Sequence, residues 1–305
     1  MYRTLFRNLC LISLLSTVCL VPACKEPQRS VIVIGSKFFT EQVILAELLA
    51  QHIEARTGIP VERKTNLGGT LLVHKALLAG QIDLYVEYTG TALTAILGEP
   101  LDRSSPADNN TSNPVYPRVK QLYAQRFSLE LTEPLGFQNT FAMVIRGEDA
   151  QNLHVHTISD IARYAPRWRV GVGYEFLERP DGFRGWTDSY NLHFAETPRV
   201  MDLGLIYRAL VDRQVDLVAG NSTDGLIDAL NLVALEDDRH YFPRYDAVPI
   251  IRKSTLDRFP QLRATLKELG GKISESDIRK MNYAVDVLHR DAVGVVREFR
   301  LSKGL

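Results

Sequence analysis

The chain has 305 residues, 45% of them hydrophobic, with 36 Lys+Arg against 36 Asp+Glu and a formal net charge of zero. That length can bury a core and divide into two domains of ordinary size, while the balanced charge excludes a whole-chain electrostatic footprint for nucleic acid or an anionic membrane. Small neutral or zwitterionic partners stay open.

Arg3 and Arg7 precede an apolar stretch from Leu9 to Leu20, and "VPACK" then brings a small residue and Cys24. This reads as a secretory signal over residues 1–24, too short for a stable membrane span. A small residue before cysteine resembles the bacterial lipobox. It implies an exported protein, in the periplasm or at the outer face of the cytoplasmic membrane, with Cys24 as its lipidated first residue; Pro22 departs from the pattern and leaves ordinary signal cleavage open. All three cysteines, Cys10, Cys19 and Cys24, lie in this leader, so the mature chain has no thiol for a disulfide, a metal or nucleophilic catalysis. Residues 25–30, "KEPQRS", form a polar tether.

Val31 to Ile34 is a β-branched run closed by Gly35, and an amphipathic helix follows from about Thr40 to Gly58. "VERKTN" is a second strand, Gly68-Gly69-Thr70 opens a helix through Leu78, and Ile82 to Val86 is a third strand. The alternation predicts an α/β fold with a parallel sheet covered on both faces. Residues 98–117 are rich in Pro, Ser, Asn and Asp, carry sequons at Asn109 and Asn110, and read as a surface excursion. Strands recur at "FAMVIR", "RWRVGVGYEF" and "RQVDLVAG". Setting Ala76 against Ala209 without a gap makes seven of 22 positions identical, polar Gln81/Gln214 and Asp83/Asp216 among them, which favours two related lobes over chance α/β patterning. "YFPRYDAVPIIR" then returns the chain to the first lobe, and a helical tail follows with Ser274 and Asp277 as caps. The expected division is 31–133 plus 247–305 for lobe I and 134–246 for lobe II.

Ligands of doubly wound sheets bind beyond the carboxyl ends of the strands, where helix N-termini offer free N–H groups. Ser36 and Lys37, Tyr88 and Thr91, Tyr174 and Glu175, and Asn221 to Asp224 all stand at such ends. Facing each other across a cleft, they suit a small zwitterion, its carboxylate on the donors and its cationic end against rings. Each has a plainer alternative: Tyr88 as a core residue, Lys37 and Arg179 as surface ion-pair partners, Thr91 as a helix cap, and Glu87, Glu175 and Asp224 as hydrogen-bonded strand-end groups. His154 and His156 alternate as strand-borne metal ligands would, but no second pair follows, and Gly68-Gly69-Thr70 lacks the Lys of a phosphate loop. No metal or cofactor is expected.

"GSKFFTEQVILAELLAQHIE", "NLGGT", "GQIDLYVEYTGTALTAIL", "ERPDGF", "STDG" and "DDRHYFPRYDAVPIIR", in that order from residue 31 onward, resemble the osmoprotectant (glycine betaine, choline, carnitine) substrate-binding proteins of bacterial ABC importers. The resemblance implies a two-lobed type II periplasmic-binding-protein fold with the ligand cleft between lobes, closing by hinge motion. It implies a monomer, anchored at Cys24, that delivers a small zwitterionic solute to an importer permease and its ATPase. Carried over, Lys37, Thr91 and Arg179 hold the solute carboxylate, and Tyr88 and Tyr245 are two walls of an aromatic cage. Leu135 and Asn221 stand where relatives have the other two walls. Either Phe38, Phe39, Tyr174 or Tyr207 substitutes, or the pocket takes a different zwitterion, such as ergothioneine or an amino acid. An enzyme on this scaffold would need a nucleophile or base converging in the cleft, and no Ser has a visible His and acid arrangement; a sensory lipoprotein without transport is the third reading.

Overall fold

The computed structural model describes residues 30–100 and 115–305. The leader with Cys24, and most of the polar excursion with Asn109 and Asn110, lie outside the described residues. Ten strands are described: β1 (Ile32–Gly35), β2 (Val61–Lys64), β3 (Leu84–Tyr88), β4 (Leu129–Leu131), β5 (Phe141–Arg146), β6 (Val170–Val172), β7 (Arg199–Val200), β8 (Leu217–Asn221), β9 (Leu232–Ala234) and β10 (Ala247–Arg252). They form two five-stranded sheets, ordered β2-β1-β3-β10-β4 and β7-β6-β8-β5-β9.

The central strands of each sheet are buried on both faces. In β1, Ile32 and Ile34 join one apolar cluster while Val33 joins another on the opposite face. In β5, Met143 and Ile145 point to one cluster and Ala142 and Val144 to the other. The helix after β1, α1 (Thr40–Thr57), ends at Gly58 with φ of 68°, whose N–H reaches the Glu54 carbonyl at 3.0 Å, so the glycine the sequence places there is the left-handed cap that stops it. The next helix, α2 (Thr70–Leu78), follows the Gly68-Gly69 turn.

The internal repeat is structural. The offset that sets Ala76 against Ala209 carries α2 onto the helix Leu203–Val211 and β3 onto β8, and the two sheets share strand order and direction. The repeated aspartate has a repeated task. Asp83 accepts the Val33 N–H at 2.8 Å and returns its own N–H to the Val33 carbonyl at 2.7 Å; Asp216 does the same with Arg169, at 2.9 and 2.8 Å. Each seals the entry of a central strand beside its parallel neighbour, so β3 begins at Leu84 rather than at Ile82.

The sheets are mixed, not parallel throughout. β10 runs antiparallel to β3 and β4, and β5 antiparallel to β8 and β9, because in each sheet the antiparallel strand is the one that arrives from the other lobe. The two crossing segments pair with each other: the Leu135 N–H meets the Ala247 carbonyl at 2.9 Å, Ala247 meets Phe137 at 3.1 Å, and Asn139 meets Tyr245 at 3.0 Å. Other differences are local. The helix Val115–Phe127 begins inside the expected excursion. His154 is the left-handed cap of the helix Gly147–Leu153 and is not on a strand, so the alternation with His156 has no strand to act on. In the tail, Ser274 is the N-cap of Glu275–Asp286, and Asp277 completes its capping box instead of capping a helix itself. Among the described residues no helix is long and apolar enough to cross a membrane, and no group of three or more His, Cys, Asp or Glu side chains is placed to hold a metal.

Candidate functional site

Between the lobes lies a cavity of about 50 Å³. Lys37, Tyr88, Thr91, Arg179, Asn221 and Tyr245 all line it. Their delivery follows from the topology. Lys37 lies in the turn between β1 and α1, Tyr88 ends β3, Asn221 ends β8, Arg179 follows the helix Tyr174–Glu178, and Tyr245 precedes β10. Beyond Tyr88 the chain makes one turn, Thr89–Thr91, and then a π-helical turn, Ala92–Ile96, a distortion often found at functional sites. Gly90 sits in this turn because a Cβ there would lie 2.7 Å from the Tyr245 ring and 3.0 Å from the Arg244 carbonyl. The hydroxyls around it are structural as well: Thr89 Oγ1 donates to the Arg244 carbonyl at 3.0 Å, tying the β3 exit to the crossing segment.

Neither cation of the site is a surface ion-pair partner, and neither is unpaired. Arg179, with a side chain 9% exposed, makes a two-point ion pair with Asp181 at 2.8 and 2.5 Å and donates to Thr91 Oγ1 at 2.9 Å. Tyr245 donates to the same Asp181 carboxylate at 2.5 Å. Burial alone would raise the Asp181 carboxyl; the Arg179 charge and these hydrogen bonds outweigh it and hold the group below the usual carboxylate range. Lys37 is ion-paired with Glu87, both buried, and its ammonium stands 4.9 Å from the centre of the Tyr88 ring. Glu87 also accepts the Tyr88 N–H at 2.8 Å and the Tyr85 hydroxyl at 3.2 Å. The strand-end reading of Glu87 therefore describes its geometry, with the addition of a cation the sequence did not pair to it.

Leu135 is placed elsewhere. It is buried in the core of the first lobe and is not among the lining residues, because its backbone is fixed by Ala247 and Ile273 in the crossing segment. Tyr207 also misses the cavity: it is buried in the second lobe and donates to Asp224 at 2.6 Å. Phe38, Phe39 and Tyr174 do line it, Phe39 stacked on Tyr88 with centroids 6.5 Å apart. Sequence reasoning missed Asn139, Phe141 and Phe176. Phe141 stands opposite Asn221 in the β5–β8 register, so a ring lies beside the position where the aromatic is absent. It contacts Phe176 at 4.7 Å and Tyr245 at 6.0 Å, and carries the Arg179 guanidinium at 4.9 Å.

The lobes touch across the cleft. Glu175 accepts the Thr70 N–H at 2.7 Å, over Gly69, where a Cβ would lie 2.6 Å from the same carboxylate oxygen. Arg179 to Thr91 is a second tie, and the Thr223 hydroxyl donating to Glu41 at 2.5 Å is a third. Asp224, next to Thr223, is pushed by burial up to about 6 against the opposing hydrogen bonds of Tyr207 and Asn221.

A family model described as the substrate-binding domain of an ABC-type glycine betaine transport system (OpuAC) matches residues 30–301. The carnitine transport binding protein OpuCC of Listeria monocytogenes is 34% identical over 289 residues, covering 94% of this chain and 91% of that protein. The ergothioneine transport permease/ergothioneine binding protein EgtU of Helicobacter pylori is 33% identical over 307 residues, covering 99% of this chain; the chain spans 53% of that relative's length. A crystal structure of a glycine betaine/carnitine/choline ABC transporter superposes with a TM-score of 0.73 at 31% identity, over 90% of this chain and 98% of the other.

Proposed function

The chain belongs to the family of substrate-binding domains of ABC-type glycine betaine transport systems, and from that premise we propose that it captures a betaine or other quaternary-ammonium solute between its lobes. Members of this family work outside the cytoplasm and serve a permease. No covalent chemistry belongs to the reading. The observation that carries it is the cavity: rings from both lobes surround a small space that Lys37, Thr91 and Arg179 also line.

The donors keep capacity for a solute. Arg179 has five N–H groups, of which Asp181 and Thr91 take three; Lys37 has three, of which Glu87 takes one. Asp181 and Glu87 thus hold the cations in position and leave the remaining N–H groups for a carboxylate. A methylated ammonium would lie against Tyr88, Tyr245 and Phe141, each contact contributing about 0.5–2 kcal/mol. Leu135 takes no part in this arrangement. Lipidation at Cys24 and a monomeric state complete the proposal.

Asn221 favours a second reading. Its amide nitrogen is held 3.4 Å from Asp224, so its side-chain carbonyl is left to accept from a betaine with an added N–H, such as ergothioneine. Calorimetric titration of the signal-cleaved protein against glycine betaine, choline, carnitine, proline betaine and ergothioneine tests both. Binding of at least one, weakened about 3- to 30-fold by Tyr88→Ala or Tyr245→Ala, is expected. Failure of all five, with uptake of an unrelated sugar or amino acid, would end the proposal.

A further inference from the structure

Glu41, in the first turn of α1, is 2% exposed but is not among the residues lining the cavity. A carboxylate offers about four lone-pair sites, and four donors fill them here. Oε1 accepts the Tyr88 hydroxyl at 2.5 Å and the Asn139 amide at 2.9 Å; Oε2 accepts the Thr223 hydroxyl at 2.5 Å and the Asn282 amide at 3.0 Å. No cation pairs with it among the described residues. The buried charge is supported by neutral donors alone, so losing one leaves an unfilled site on a buried anion.

The origins of the donors matter more than their number. Tyr88 is the cavity wall at the end of β3, and Asn139 lies in a crossing segment. Thr223 belongs to the loop after β8 in the other lobe. Asn282, on the tail helix, also donates to the Thr223 carbonyl at 2.9 Å, so two bonds hold that loop at this point. One carboxylate therefore joins the ligand wall, the hinge and the closing lobe.

We propose that Glu41 is a positioning residue that couples the Tyr88 ring to closure of the cleft, with Thr223 as the arm that opening breaks; the proposal rests on the reading of Tyr88 as a solute wall. When Thr223 withdraws, the remaining donors must redistribute around the anion, and the Tyr88 hydroxyl is one of them. The ring is then held in its binding orientation only when the second lobe is home.

The test is a double-substitution cycle of Tyr88→Phe, which removes only the hydroxyl, and Thr223→Val, with Thr223→Ser as the rescue. Glycine betaine and carnitine serve as probes for affinity and dissociation rate, and urea unfolding of the ligand-free protein gives a second cycle. Expected are a dissociation rate raised about 5- to 30-fold in Thr223→Val, recovery to within about twofold in Thr223→Ser, and losses in the double variant that depart from additivity by about threefold or more. Additive losses in both cycles would overturn it. If the parent protein binds none of the five solutes named above, the solute assignment falls by itself, and hydrogen exchange at Asn139 decides the coupling: faster exchange in Thr223→Val supports it, and unchanged exchange refutes it.

Discussion

Replacing Arg179 by Met should destabilise the protein far more than losing a surface arginine would. The Asp181 side chain is fully buried and receives two of its hydrogen bonds from Arg179. Removing one partner of a buried pair costs about 3–5 kcal/mol, because the other charge is left without compensation. A further contribution comes from the Thr91 hydrogen bond and the Phe141 contact, about 1 kcal/mol each. The double variant Arg179→Met/Asp181→Asn removes the orphaned charge and should recover most of the first figure, leaving a loss of about 1–3 kcal/mol. Acid dependence should also reverse. In the parent protein Asp181 titrates below its unfolded value, so its stabilisation is present above the unfolded pKa and is lost as pH falls through the folded one. In Arg179→Met the buried, unpaired carboxyl is raised instead, and stability is lost as pH rises. Urea unfolding at pH 7, pH 5 and pH 3 measures both effects, the parent's loss entering only below about pH 4. A single-variant loss below about 1 kcal/mol, or a double variant no more stable than the single, would refute the reasoning.

Three other outcomes follow from buried groups. Asp224, raised by burial to about 6, contributes stability that is full below its unfolded pKa and lost as pH rises through about 6; Asp224→Asn should flatten thermal stability between about pH 4 and 6. His74, lowered by burial to about 4 and with both ring nitrogens unpartnered, contributes stability that is present above about pH 6.5 and lost as pH falls through about 4. His74→Phe, packed against Tyr123 and Phe127, should lift stability increasingly below pH 6.5, read by melting temperature. Asp83 accepts from Val33, Thr255 and Arg258, so Asp83→Ala should cost about 2–4 kcal/mol in chemical unfolding, and a loss under about 1 would deny it the sealing role.

Much of this architecture was legible in the chain. Gly58 marked the end of α1 because a left-handed cap needs it, and Gln81-Asp83 against Gln214-Asp216 marked the repeat because the same strand-entry bonds need the same carboxylate. What stayed hidden has a common cause. Parallel strands present their functional residues after their carboxyl ends. Phe141 begins an antiparallel strand, so it reaches the cavity from the opposite chain direction, and nothing local in "FAMVIR" distinguishes it from core. Arg179 and Asp181 lie two residues apart in "ERPDGF", yet their pairing depends on how the turn folds back. Glu41 reads as an ordinary first-turn acid, and its four donors come from segments up to the distant tail helix. Leu135 packs in the first-lobe core and not on the cavity, and position in a motif does not say where a crossing segment points its side chains.

The route of the chain has a consequence for synthesis on the ribosome. β10 is the middle member between β3 and β4, yet it is made only after every strand of the second sheet. Until then, β3 and β4 lack their shared neighbour and leave backbone groups and apolar surface unpaired in the nascent chain. The second lobe, whose strands are consecutive in sequence, can assemble first and deliver β10 to the gap. Earlier lobe, later completion: a stall or truncation before residue 247 would release a product with one finished sheet and one open edge, the kind of species that quality-control proteases and aggregation compete for.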